Sequence, residues 1–137
     1  MPIELSYLVA SVLLLSLHIG FDAISANLQY RLTDLAGSRD NLAPPNTLSA
    51  RSKRATRNMI EGLAMFAPVV LVAEATGNLN DMTALGATLF FWGRVAYAPS
   101  YWLGLPWIRT LVWAVSMVGI FMVLSQVLPF AGALNGD

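Results

Sequence analysis

Apolar residues gather into four long runs separated by polar stretches. The first run spans Ile3 to about Ile24 and is broken among ionisable residues only by Glu4, His18 and Asp22. The second runs from about Met59 to Ala75, the third from Met82 to about Ala98, and the fourth from Pro106 to Leu128. A bilayer-spanning helix needs about 20 mostly apolar residues. The pattern therefore predicts one all-α transmembrane domain over residues 1–137, with spans at about 3–24, 59–75, 82–98 and 106–128. The polar stretch between the first two runs holds Pro44-Pro45 and several turn formers. Beyond it, Asn46, Thr47 and Ser49 offer helix N-caps and the sequence to Glu61 lacks proline. The second helix is thus expected to start near Thr47 and to project about two to three turns out of the membrane. Pro68 predicts a kink near Ala64. No Lys or Arg precedes the first run and no cleavage signal follows it, so it reads as a mature span.

Composition agrees with a membrane chain. Of 137 residues 56% are hydrophobic and 12% charged, where a soluble domain carries about 25% charged residues. The mean hydropathy is +0.60. The formal net charge is zero, which gives no reason to expect a nucleic-acid partner. There is no cysteine, so disulfides, thiolate metal sites and a protein-borne thiol nucleophile are excluded, and no metal site is expected.

The placement of charge is more informative than its sum. Arg31, Arg39, Arg51, Lys53, Arg54 and Arg57 all lie between the first and second spans, and Arg94 and Arg109 lie at span ends facing the same side. By the positive-inside rule the first loop is cytoplasmic and both termini are outside. Arg39, Arg51 and Lys53 are read as orienting charges, and Arg54 stands between these and the residues with a chemical role.

Glu61, Arg94 and Arg109 sit about one turn inside their spans at similar depth. Intramembrane charges usually face a cavity or a partner. Arg51, Arg54, Asn58 and Glu61 fall at i, i+3, i+7 and i+10, one helical face, with Arg57 on its flank. Arg94, Tyr97 and Tyr101 share another face, provided that helix continues past Pro99. Converging faces would make a cationic pocket for a ligand with two or more carboxylates and an ammonium, because guanidinium grips carboxylate through paired hydrogen bonds. The alternatives are snorkelling arginines or an internal network joining Glu61 to Arg57 or Arg94. His18 and Asp22 form an i,i+4 pair, read as a satisfied contact at a helix or subunit interface, with Ser11 or Ser25 of a neighbour. A proton-coupled transporter built on Asp22 would leave the remaining charges unexplained.

The segment Arg51-Ser-Lys-Arg54-Ala-Thr-Arg57-Asn58-Met-Ile-Glu61 resembles the signature of the membrane-associated eicosanoid and glutathione metabolism (MAPEG) family. So do Gly93-Arg94-Val-Ala-Tyr97-Ala-Pro-Ser-Tyr101 and Ile108-Arg109-Thr110. The best-matching part runs from Ser49 to Trp113. The resemblance, to a bacterial-type member, implies a homotrimer of four-helix bundles in an inner membrane. Glutathione, as cosubstrate, would lie between subunits near the cytoplasmic face, beside a small lipophilic substrate. Arg57, Asn58, Glu61, Arg94, Tyr97 and Tyr101 would bind it, with Arg31 from a neighbour, and Arg109 with Thr110 would hold the sulfur. The implied activity is that of a microsomal-type glutathione transferase or peroxidase. The alternative within the family is a non-catalytic lipid-binding scaffold. Thr56 and Tyr97 stand where several relatives carry His, and Thr110 where the eicosanoid-synthesising branch carries Ser.

Overall fold

A computed structural model describes residues 1–40 and 42–128. These residues form five helices: α1 (Ile3–Gln29), α2 (Leu32–Ala36), α3 (Thr47–Ala75), α4 (Asp81–Trp102) and α5 (Pro106–Ser125). No strand occurs among the described residues. Three helices, α1, α3 and α5, are long and apolar enough to cross a membrane, and the chain is an integral membrane protein. The third predicted span lies within α4. That helix is long enough, but Arg94, its glycines and its tyrosines dilute its hydropathy. The first loop, read from the sequence as irregular, contains the short helix α2.

Local chemistry sets the helix boundaries. The Asn46 side chain accepts from the Ser49 backbone N–H at 2.9 Å and starts α3 at Thr47, satisfying one of the orphan donors of the first turn. α3 thus starts at Thr47, where the sequence places it. A reciprocal capping box of Asn80 and Thr83 starts α4. Pro106 occupies the first turn of α5, where its missing N–H removes no hydrogen bond. Gly77 and Gly104 turn the chain with φ of 71° and 72°, a region that disfavours residues with a Cβ.

α3 packs on α1, α4 and α5, and α4 lies along α5. Phe66, Val70 and Ala73 of α3, Ala87 and Phe90 of α4, and Ile120 and Val123 of α5 form the buried centre. The Phe66 and Phe90 rings stack at 4.1 Å. The helix α1 inverts the usual pattern of a soluble helix. Its buried residues are Glu4, Ser11, His18 and Ser25, spaced by seven, while Val9, Leu13 and Leu17 are exposed. In a bilayer the polar stripe belongs inside, because lipid satisfies no hydrogen bond.

Candidate functional site

The site is assembled where the first turns of α3 meet the end of α4 and the start of α5. α4 continues through Pro99 to Trp102, so Arg94, Tyr97 and Tyr101 do share one face. Two contact groups result. In the inner group Arg94, only 1% exposed, donates through Nη1 to Asn58 Oδ1 on α3. Its guanidinium lies over the Phe90 and Tyr97 rings at 5.7 and 5.3 Å. It fits because residue 62 is glycine: a Cβ there would come within 2.6 Å of Nη2.

In the outer group Tyr101 is the centre. Arg54 Nε donates to the Tyr101 hydroxyl at 2.9 Å. The Arg109 guanidinium sits over the Tyr101 ring, 4.8 Å from its centroid. A cation–π contact fixes a guanidinium without using its N–H donors, so these remain free for an anion. The Tyr97 and Tyr101 rings, 5.5 Å apart, join the two groups.

Of the residues singled out in the sequence, Asn58, Arg94, Tyr97, Tyr101 and Arg109 are thus brought together. Arg57 and Glu61 are exposed on α3. Arg94 has its hydrogen bond to Asn58, not the ion pair of an internal network. Thr110 is exposed, and its hydroxyl proton goes to the Pro106 carbonyl at 2.9 Å. Arg31 precedes α2 as its N-cap residue and lines a cavity between the end of α1 and the first loop, whose walls include neither Tyr97 nor Tyr101.

Arg54 belongs to the site through Tyr101. Its place at i−4 to Asn58 on the same helical face was the available signal. Arg51 also does more than orient the chain. Its Nη1 makes a long hydrogen bond to the Trp102 carbonyl, 3.5 Å, and its guanidinium packs where a Cβ on Gly104 would stand. It therefore braces the turn that presents Arg109. Thr56 faces away, its hydroxyl donating to the His18 carbonyl at 3.4 Å, so replacement of His there leaves the tyrosine group untouched. The serines expected to meet His18 and Asp22 from a neighbour bond within their own helix, Ser11 to the Tyr7 carbonyl and Ser25 to the Asp22 carbonyl.

The arrangement offers a row of cations beside two aromatic walls at one end of the helices. The family model for MAPEG matches residues 5–128. No curated protein and no solved structure matches the chain.

Proposed function

Because the chain belongs to the MAPEG family, whose members serve glutathione and eicosanoid metabolism in membranes, we propose that it is a glutathione-dependent transferase or peroxidase acting on lipophilic electrophiles or hydroperoxides. The observation that carries this reading is the Arg109 guanidinium, held over the Tyr101 ring at 4.8 Å from its centroid, a contact that leaves its N–H donors available among the described residues. Glutathione has two carboxylates, one ammonium and one thiol. Arg54, Arg57 and, from a neighbouring copy, Arg31 suit the carboxylates, and Glu61 suits the ammonium. Arg94 acts from behind, holding Asn58 and Tyr97 in place. Tyr101 orients Arg109.

A free thiol has a pKa of about 8.5, so only a few per cent is thiolate at neutral pH. A cation within about 4–6 Å lowers such a pKa by roughly 1–3 units. Arg109 would thereby keep the bound sulfur anionic. With an electrophile, the thiolate forms a carbon–sulfur bond while the leaving group takes the electron pair, or an alkoxide takes a proton. With a hydroperoxide, two glutathiones are oxidised to the disulfide while the peroxide is reduced to alcohol and water. Thr110 contributes less than Arg109, since its proton is already committed to Pro106.

The same reading makes α4 the third of four spans in a four-helix bundle within a single domain. The chain assembles as a homotrimer in a bacterial inner membrane, with the first loop in the cytoplasm and both termini outside.

The test is glutathione binding to the detergent-solubilised protein, followed by ultraviolet thiolate absorbance across pH. Wild type should show thiolate with an apparent pKa below that of free glutathione. The signal is present above that lowered pKa and is lost as pH falls through it. Arg109→Ala should return the pKa towards about 8.5. Thiolate formation with no turnover across a panel of electrophiles and hydroperoxides would favour the scaffold alternative.

A further inference from the structure

Beside the arginine and tyrosine groups, a patch between α1 and the end of α4 carries buried polar atoms that no described residue satisfies. His18 is 1% exposed. Its Nδ1 lies 2.9 Å from the Leu14 carbonyl. A carbonyl only accepts, so Nδ1 carries the hydrogen, and in the neutral form of the ring Nε2 then presents a lone pair. His18 Nε2, Asp22 Oδ1 and Trp102 Nε1 are all buried without a hydrogen-bond partner among the described residues. The three belong to one patch. His18 and Asp22 are one turn apart on α1. The Trp102 ring stacks on Phe21 at 4.1 Å and lies 5.6 Å from the His18 ring.

Their polarities are complementary to one molecule. Trp102 N–H is a donor in need of an acceptor, while Nε2 and Oδ1 are acceptors in need of a donor. Water accepts one hydrogen bond and donates two, and buried waters typically make about three hydrogen bonds. Each of these atoms is already covered within a single chain, so neither lipid nor a second copy of the chain reaches them. A buried polar group left unpaired keeps the full penalty of its lost hydration, which makes three bare atoms on one patch unfavourable.

We propose that the His18, Asp22 and Trp102 side chains form a site for one enclosed water, which accepts from Trp102 and donates to His18 and Asp22. The water ties α1 to the last turn of α4. Ser49 and Ser52 of α3, whose hydroxyls are also buried and unpartnered among the described residues, fall near this level by register. Thr56 meets the His18 carbonyl, and the helices run antiparallel, so four residues back on α3 correspond to four forward on α1.

His18 is the single histidine, so 15N-histidine labelling gives one ring to read by nuclear magnetic resonance. The wild-type ring should show a protonated Nδ1, a hydrogen-bonded unprotonated Nε2, and transfer from water to the ring Hε1 proton. Trp102→Phe keeps the stack on Phe21 but removes the donor, so the Nε2 resonance should shift and the melting temperature should fall. Asp22→Asn, which retains a carbonyl acceptor, should leave the Nε2 resonance in place. A protonated Nε2, or the absence of water transfer to Hε1, overturns the proposal in wild type alone, whether or not the variants fold. An Nε2 resonance unmoved in folded Trp102→Phe overturns it as well.

Discussion

Arg94 shows how a charge can be held buried between helices. Its guanidinium is covered by two aromatic faces, hydrogen-bonded to Asn58, and seated in a notch that exists because residue 62 has no side chain. Gly62→Ala should therefore act through Arg94. The added methyl occupies the place of Nη2, and overpacking of this kind costs about 1–3 kcal/mol. Thermal unfolding in detergent checks it, and the double variant with Arg94→Met should lose less than the two single losses added together. Asn58→Ala leaves a buried charged donor unpaired, and hydrogen bonds to charged groups contribute about 1.5–3 kcal/mol. The outer group makes a different prediction. Tyr101→Phe loses the acceptor for Arg54 but keeps the ring beneath Arg109, so the thiolate signal of bound glutathione should persist. Tyr101→Leu removes the ring; a cation–π contact at a partly exposed site is worth about 0.5–1 kcal/mol. The thiolate fraction should then fall by up to about fivefold, with the aromatic variant as control.

At the scale of helices, α4 and α5 touch backbone to backbone. A Cβ on Gly86 would lie 2.6 Å from the Gly119 carbonyl oxygen, and a Cβ on Gly119 would strike the Gly86 carbonyl and the Phe90 backbone N–H. Neither obstacle is a flexible side-chain end, so the helices must separate. Small residues permit such close approach where lipid supplies no hydrophobic drive. Gly119→Ala should cost about 1–3 kcal/mol or more and should lower the melting temperature further than Ala introduced at Gly20, where no atom lies within 4 Å of a Cβ. This close pairing was not legible from hydropathy, because glycine counts as nearly neutral and its use depends on which residues face it. Nor was the polar stripe of α1, although Glu4, Ser11, His18 and Ser25 carry a heptad spacing that a search for polar rather than apolar periodicity would find. The start of α3 was legible, since Asn46 combines a capping side chain with the end of a proline-containing loop. The continuation of α4 past Pro99 was written in the sequence only as a condition. Arg94, Tyr97 and Tyr101 could be read onto one face, but Arg54 as the partner of Tyr101 required two helices brought together. The short α2 escaped because five residues hold too little periodicity to distinguish helix from turn.

At the scale of the whole molecule, the surface is what a membrane or a second copy must cover. Leu13, Leu17, Leu71, Trp107, Leu111 and Phe121 are all exposed large apolar side chains, Trp107 by 86%. Exposed apolar area of this extent marks a membrane or protein interface. The polar side chains have a matching asymmetry. Tyr97, Tyr101 and Arg109 face one another within a chain, whereas Arg31 lies in the first loop among Asp34, Arg39 and Asp40. Under the proposed function, Arg31 reaches the sulfur-holding arginine only from a neighbouring copy. Arg31→Ala and Arg109→Ala trimers should then each be impaired, since every site lacks one arginine. In trimers mixed from equal amounts of the two chains, about a quarter of the interfaces pair an intact Arg109 with an intact Arg31, as random assembly of a cyclic oligomer requires. Glutathione-dependent turnover of the co-expressed mixture should exceed that of both parents. Turnover no higher than the mean of the two parents would place Arg31 within its own subunit's site or outside the site altogether.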